Sequence, residues 1–387
     1  MLPFAEFVLV LLWLRMLLCC GLGLWAWRRQ GPALPGPHPA LTTAVVMPAF
    51  NEALDIEASL LSLLRQDPIP QQIVVVDDGS IDGTGEIAQR VLAGVEGSLV
   101  IRLPANGGKA HALNAGIRAA RCDCVLTLDA DTRLEPGALG VALATMAQEP
   151  VDAVAFYLDV DNRRSLIGAL QRAEYLGSLN FERAGQHVLG AISVLPGAAT
   201  LFRRESLLRL PFHARSLTED ADLTLGLSRQ GRRMVLAAGA IASTVVPGGW
   251  ARLLLQRRRW IAGHLQCCAF HAAPRAGEGW RFRLLTFPNF LLSTAMAPLG
   301  FGSLLAVWAA GRTEWLHIGW WDAVVISLLI VYAQRGCAWL TAGPRRARLG
   351  PFVLEPACSN LVSTLCFVAA LALLLKRSVR TPASAGP

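Results

Sequence analysis

The stretch Gln72-Ile73-Val74-Val75-Val76-Asp77-Asp78-Gly79-Ser80 is an apolar run that ends in two carboxylates and a glycine. β-Branched residues in unbroken succession read as a strand buried on both faces, as in a parallel sheet. The pattern recurs on either side. Ala44-Val45-Val46-Met47-Pro48 precedes it, Leu99 to Leu103 follows it, and Cys124-Val125-Leu126-Thr127-Leu128 runs into Asp129-Ala130-Asp131. Between these runs, Asn51 to Arg65, Gly85 to Leu92 and Lys109 to Arg118 read as helices. Strand and helix alternating in units of about 25–30 residues predict an α/β domain, with a parallel sheet and helices on both faces. Ligands in such sheets bind beyond the carboxyl ends of the strands. Ala49-Phe50-Asn51-Glu52 and both acidic turns stand there.

The second half is more mixed. Asp152 to Val160 reads as a strand and Leu166 to Glu182 as a helix. Ser193 to Arg203 reads as an extended segment broken at Pro196-Gly197, and Leu223 to Gln230 as a short helix. Trp250 to Ala273 interleaves Trp, Leu and Ile with arginines, which fits an amphipathic helix lying in a membrane interface.

Of the 387 residues, 53% are hydrophobic. That is too apolar for an ordinary soluble domain, so membrane segments are expected. Phe4 to Trp27, Leu284 to Ala310, Ile318 to Leu340 and Phe352 to Leu375 are each long enough to cross a ~30 Å hydrocarbon core as a helix. Glu6, Arg15, Asp322, Arg335 and Glu355 interrupt them and are expected to pack against neighbouring helices. The first segment lacks the basic start and small-residue cleavage site of a secretory signal, and reads as a retained anchor. Arg28 and Arg29 behind it place the next domain on the cytoplasmic side. Pro344-Arg345-Arg346-Ala347-Arg348 then falls on that side too, whereas Lys376, Arg377 and Arg380 fall outside, against the rule. The expected organisation is an anchor over 1–30, a Pro- and Gly-rich linker over 31–43 and a globular domain over 44–249. An interfacial segment over 250–283, three membrane helices over 284–376 and a tail over 377–387 complete it.

The net charge of +8 is concentrated at Arg252 to Arg259, Arg281, Arg283 and the interhelical loops. Basic residues beside membrane helices suit anionic headgroups, and they suit a diphosphate. No aromatic–basic groove suggests nucleic acid. The nine cysteines show no zinc spacing and read as free thiols in reducing or lipid surroundings.

Several motifs carry chemistry, each with a plainer reading: a turn or cap for the three acidic ones, a plain loop for Asn106 to Lys109 and an interfacial Trp–Arg belt for Gln256 to Trp260. Asp77-Asp78-Gly79 can turn tightly and offer carboxylates to a base edge or ribose hydroxyl. Asp129-Ala130-Asp131 offers oxygen ligands of the kind Mg²⁺ or Mn²⁺ shares with a diphosphate. Asn106-Gly107-Gly108-Lys109 opens a helix, where backbone N–H groups and a lysine attract phosphate. Thr218-Glu219-Asp220 fits a helix cap, and it also supplies a carboxylate to deprotonate a hydroxyl. Gln256-Arg257-Arg258-Arg259-Trp260 is the most specific signal. Gln256 and Trp260 share a helix face, an indole stacks on a sugar ring, and Arg259 can fork onto phosphate.

With these motifs in this order, the chain resembles the membrane-embedded branch of the family 2 glycosyltransferases, which includes cellulose, hyaluronan and poly-N-acetylglucosamine synthases. The resemblance spans Val45 to Gly263. It implies a GT-A nucleotide-sugar transferase fold with flanking transmembrane helices. It implies inverting hexosyl or N-acetylhexosaminyl transfer from a UDP-sugar to a growing β-linked polysaccharide, without a covalent enzyme intermediate. Uridine contacts would come from Pro48, Glu52, Asp77 and Asp78, and phosphate contact from Lys109. Asp129 and Asp131 would bind the donor diphosphate with Mg²⁺ or Mn²⁺. Asp220 would be the base, with Glu219 its neighbour. Gln256, Arg259 and Trp260 would close the acceptor and diphosphate side, and Pro196-Gly197-Ala198-Ala199 would line the acceptor. The expected setting is a bacterial inner membrane, with the catalytic domain cytoplasmic, lipids around it and a helper subunit for export. The polymer synthases usually carry more helices than the one before and three after this domain. Ceramide glucosyltransferases share the acidic signatures, the Gln–Arg–Trp element and a single leading anchor, and they add one sugar to a lipid. A non-catalytic scaffold has no need of all these positions together.

Overall fold

The computed structural model describes residues 2–29, 41–148, 150–345 and 348–380. The expected linker at Gly31 to Pro39, Arg346 and Ala347 of the basic loop, and the last seven residues of the tail lie outside them. The buried run at 72–76 forms β2 (Gln72–Asp77), flanked by β1 (Thr43–Ala49) and β3 (Ser98–Arg102), with β4 (Cys124–Leu128) beyond β1. All four are parallel; Val45 pairs with Ile73 and Ala49 with Asp77, so the acidic turn and the Asn51-Glu52 loop leave the sheet together.

Alternate residues of these strands enter two separate apolar layers. Val45, Met47, Ile73, Val75 and Leu126 pack with Leu60 and Leu63 of α2 (Ile56–Leu64) and Ala88 of α3 (Thr84–Val91). Val46, Val74, Val76 and Val125 pack on the other face with Leu113 and Ile117 of α4 (Lys109–Ala119). α2 starts at Ile56 rather than Asn51. Asn51 takes φ +57°, and the N–H groups of Asn51, Glu52 and Ala53 are bound by the side chains of Ser80, Thr84 and Asp82. The first five residues of the expected helix are therefore a loop tied over the Asp77-Asp78 turn.

The all-parallel expectation holds for β1 to β4 and fails beyond them. The eight-stranded order is β3-β2-β1-β4-β7-β6-β8-β5. β7 (Ala199–Arg203) runs antiparallel between β4 and β6 (Ala153–Val160). β8 (Met234–Thr244) runs parallel to β6, and β5 (Thr132–Leu134) antiparallel to β8. β5 follows Asp131 directly, so its pairing with β8 carries the second acidic turn across the sheet. The helix expected at Leu166 to Glu182 is α6 (Leu166–Glu174), a π-helical turn over Tyr175–Phe181, then α7 (Glu182–Val188). α5 (Ala138–Gln148) and α8 (Arg204–Arg209) complete this part. α9 (Glu219–Arg229) starts a turn earlier than expected. Its first turn holds Glu219, Asp220 and Asp222, where the helix dipole favours negative charge. α10 (Trp250–Ala272) covers the span read as a helix at Trp250 to Ala273.

Among the described residues, four helices are long and apolar enough to cross a membrane: α1 (Leu2–Arg29), α11 (Phe287–Ala310, with a π turn before it), α12 (Trp320–Thr341) and α13 (Leu349–Arg380). Leu14, Phe301, Leu329 and Leu365 lie exposed on their outer faces. The charges inside them find partners. Arg15 pairs with Glu182 of α7 at 2.9 Å and donates to Asn289, and Gln334 donates to the same Glu182. Arg335 pairs with Glu355 at 2.8 Å, and Glu6 accepts from the backbone at Glu314 and Trp315.

α4 seats on β1 through a glycine. A Cβ on Gly116 would stand 2.4 Å from Val46 Cγ1 and 3.2 Å from Val76 Cγ2. Gly116→Ala is expected to cost about 1–3 kcal/mol by overpacking and to lower the melting temperature of the detergent-solubilised protein. A melting curve that coincides with the wild type would contradict this seating.

Candidate active site

The site grows from the carboxyl ends of β1, β2 and β4. Asp78 N–H donates to Ala49 O at 2.8 Å. The two Asp78 oxygens accept from Gly107 N–H and Gly108 N–H, each at 2.8 Å. Asp77 Oδ1 accepts from Ser80 N–H at 2.9 Å. Gly79 has φ +78°, and a Cβ there would stand 2.9 Å from Ala105 C and Asn106 N. The acidic turn is therefore locked to the Asn106-Gly107-Gly108 loop, which aims α4 and its first residue, Lys109.

Lys109 Nζ lies 2.5 Å from Asp129 Oδ1, 3.5 Å from Glu219 Oε1 and 3.4 Å from Gly197 O, to which it donates. Burial works against this ammonium, but Asp129 and Glu219 outweigh it and hold its pKa above the ordinary value. Asp220 Oδ2 accepts from Gly197 N–H at 3.1 Å, and a Cβ on Gly197 would stand 2.8 Å from that oxygen. Asp131 Oδ1 accepts from Thr132 and, at 3.3 Å, from Thr244 of β8. Burial, then the adjacent Asp129, pushes Asp131 up to about 6. Burial, then Glu219, pushes Asp220 up to about 6, with Lys109 opposing. Burial, then Asp131, pushes Glu52 up to about 7. Burial first, and then the crowding of carboxylates around few cations, raises the pKa of Glu52, Asp131 and Asp220.

α10 is clamped to the turn that carries Glu219 and Asp220. A Cβ on Gly263 would stand 2.5 Å from Thr218 Oγ1 and 2.8 Å from Thr218 N. Gln266 accepts from Leu217 N–H at 3.0 Å, and His271 Nε2 lies 2.7 Å from Asp222 Oδ1. Asp222 and Asp220 are about 200° apart around α9, so one grips α10 while the other faces Gly197. Burial opposes the Asp222 charge, but His271 and Arg215 hold its pKa down at about 2.

One turn before Gly263, the Trp260 ring lies under the Arg257 guanidinium, 4.2 Å away. Arg257 pairs with Glu174 at 2.7 Å and donates to Gln256, and its charge and that of Asp131 both act on the Tyr175 phenol. Arg259 is exposed, on the far side of α10 from Arg257, and its charge reaches Asp129.

The structure therefore brings Glu52, Lys109, Asp129, Asp131, Glu219 and Asp220 into one charged cluster. Pro48 lies in β1 beside it, and Asp77 and Asp78 support its loops. Gln256 and Trp260 reach it through Arg257 and Tyr175 rather than by a direct bond. The motifs did not mark Tyr175, Arg183, Arg257 or Asp222. Arg257 could have been found from its i, i+3 spacing to Trp260; Tyr175 lies in the π-helical turn and Arg183 just past it in α7, where the added residue shifts the helix faces.

Residues 44–210 match the profile of Glycosyl transferase family 2. The chain carries a family 2 glycosyltransferase domain. Among curated proteins it is similar to the poly-beta-1,6-N-acetyl-D-glucosamine synthases of Staphylococcus aureus and Staphylococcus epidermidis. Each is 29% identical over 220 residues, 56% of this chain and 53% of the relative. The chain thus aligns with about half the length of the curated relatives it matches. Among solved structures it is similar to a mannosyltransferase from Pyrobaculum calidifontis in complex with GDP-Man and Mn²⁺. That likeness has a TM-score of 0.61 and 22% identity, covering 92% of this chain and 99% of the other. It places the glycosyltransferase domain in the GT-A fold.

Among the described residues, no three or more His, Cys, Asp or Glu side chains converge as a metal cage. A hard divalent cation bound through a substrate diphosphate needs only one or two protein carboxylates. Asp129 and Asp131 fit that need, and the raised pKa of Asp131 marks a place where positive charge is wanted.

The clamp at Gly263 lets this glycosyltransferase domain be tested apart from its charges. Gly263→Ala meets the Thr218 backbone, which cannot give way as a side chain could. It is expected to cost about 1–3 kcal/mol and to lower the melting temperature by displacing the turn that carries Glu219 and Asp220. Melting that coincides with the wild type would show that α10 does not seat on Thr218.

Proposed function

We propose that this chain is an inverting glycosyltransferase that moves N-acetylhexosamine, or another hexose, from a UDP-sugar to a growing β-linked polysaccharide at the cytoplasmic face of a bacterial inner membrane. What carries the reading is the convergence on Lys109 of Asp129 and Glu219, with Asp220 held by the neighbouring Gly197 N–H. The synthase relatives support the polymer and the N-acetylglucosamine unit. The four apolar helices and Arg28-Arg29 support the setting.

On this reading Pro48, Glu52, Asp77 and Asp78 border the uridine, and Lys109 faces the diphosphate. Asp129 and Asp131 would hold Mg²⁺ or Mn²⁺, which supplies neutralisation of the charge that builds on the leaving diphosphate. Asp220 accepts the proton of the acceptor hydroxyl. The hydroxyl oxygen bonds to the anomeric carbon from the side opposite the diphosphate, so configuration inverts. Trp260 offers an indole face to a sugar ring, and Arg259 adds positive charge on the diphosphate side. Lipids surround the helices, and a helper subunit would serve export.

A narrow groove between α6, α10 and α13 favours a second reading. Arg257, Glu174, Trp250 and Ser359 are among its lining residues, so it joins the Trp260 side to a membrane-type helix. It suits an acceptor that enters from the lipid, as in single-sugar transfer. Product sizing after incubation with a UDP-sugar separates the two: long chains favour polymerisation, and one-sugar lipids the alternative.

Asp220→Asn is expected to cut turnover at least about 10²-fold while UDP still binds. In the wild type, turnover should fall as pH drops through about 6, because Asp220 must be ionised to take a proton. An Asn variant with full turnover, or a rate flat from pH 8 to 5, would refute the assigned base. EDTA is expected to abolish transfer, and Mg²⁺ or Mn²⁺ to restore it. Full transfer in chelator would rule out the role given to Asp129 and Asp131.

A further inference from the structure

Arg183 stands in the first turn of α7, just past the π-helical turn. Its guanidinium is buried, with the residue 5% exposed. Nε donates to Val194 O at 3.1 Å, but Nη1 has no hydrogen-bond partner. The other buried arginines each have a carboxylate: Arg15 with Glu182, Arg229 with Glu278, Arg257 with Glu174 and Arg335 with Glu355. Among the described residues, Arg183 has none within ion-pair distance. Burial pushes its pKa down to about 10, and the groups that oppose this are Asp220 and the Tyr175 phenol.

A buried cation left unpaired is costly, and a fold keeps one only where something else repays it. The place of Arg183 says what. Val194 is three residues before Gly197, whose N–H holds Asp220 Oδ2. Leu195 N–H donates to Thr224 Oγ1, which in turn donates to Asp220 O. One segment therefore fixes both the guanidinium and the carboxylate. They attract each other without touching.

We propose that Nη1 of Arg183 and the carboxylate of Asp220 hold one acceptor hydroxyl between them. A hydroxyl can accept from the guanidinium and donate to the carboxylate at once; a phosphate or carbonyl oxygen has no proton for Asp220. The proposal rests on the transferase reading and names a residue that reading lacked. The step balances. The O–H proton passes to Asp220, and the oxygen's electron pair forms the new bond to the anomeric carbon. The bond from that carbon to the diphosphate oxygen breaks, and UDP leaves with its electrons. Negative charge grows on the attacking oxygen as the proton departs, and the N–H that faces it is bound most strongly at that moment.

The test uses the full chain in nanodiscs, with Arg183→Met and Arg183→Lys. Three quantities are read: UDP binding, UDP release from UDP-N-acetylglucosamine in water alone, and transfer to a β-1,6-linked N-acetylglucosamine oligomer. Arg183→Met is expected to lower kcat/KM for the oligomer by about 10- to 100-fold, the loss of a charged hydrogen bond. UDP binding should change little, release to water should fall no further than transfer does, and Arg183→Lys should recover part of the transfer. The Met variant should melt no lower than the wild type, since an apolar chain replaces an unpaired buried charge. A lower melting temperature with equal losses in all three readouts would make Arg183 structural and overturn the proposal. So would unchanged oligomer transfer. A wild type that releases no UDP from any UDP-sugar would overturn the transferase reading, and this proposal with it.

Discussion

One ammonium group holds the centre of this protein together. Lys109 reaches Asp129 at the end of β4, Glu219 at the start of α9 and Gly197 O before β7. These elements come from distant parts of the chain, and two of them bring full negative charges. A lysine at the first position of a helix is opposed by the helix dipole, so the carboxylates, and not α4, account for its place. The lock on α4 is made elsewhere, by Asp78 on the Gly107 and Gly108 N–H groups. Asp78 therefore acts at one remove: it fixes the loop, the loop fixes Lys109, and Lys109 gathers the acids.

The apolar helices enter the same design through the π-helical turn at Tyr175–Phe181. Glu174 before it pairs with Arg257 of α10, and Glu182 after it pairs with Arg15 of α1. A π turn adds a residue to the helix and shifts the faces on either side of it. Here it sets Tyr175 within the field of Arg257 and Asp131 while Arg183, two turns on, bonds Val194 near Asp220. On the proposed reading, the helix bundle thereby sets the acceptor side of the site as well as anchoring the domain.

Much of this was legible in the chain. The two-layer sheet was written in the unbroken β-branched runs, and the acids could be placed at strand ends because the topology of parallel sheets dictates it. The four long apolar segments were legible from length alone. What escaped had local causes. Asn51 to Ile56 carries helical spacing, yet the side chains of Ser80, Asp82 and Thr84 capture its N–H groups first. β5 is three residues long, too short for any alternation to show. The antiparallel turn of β7 depends on pairing with β4 and β6, which no window of sequence contains. Asp222 and Arg257 were hidden inside motifs that direct the eye to Asp220 and Arg259. Their neighbours two residues away lie on nearly opposite helix faces, so one motif serves both packing and site.

The charges of the site also set its energetic cost. Glu52, Asp131 and Asp220 have folded pKa values raised to about 7, 6 and 6, burial being the largest cause in each. A carboxyl whose folded pKa lies above its unfolded value, near 4, stabilises the fold fully below that unfolded value. The contribution fades as pH rises through about 6 to 7. The fold is therefore least favoured, by this measure, at the pH where a base must be ionised. Arg183 strains it in the complementary sense, as a cation held away from water. A cation at Asp131 would favour the ionised carboxylates, and a hydroxyl at Asp220 would give the guanidinium its bond. Metal binding should then release protons from the site. The same charges that weaken the protein by itself are those that substrate and metal would relieve, so the arrangement is better explained by what it binds than by what it stabilises.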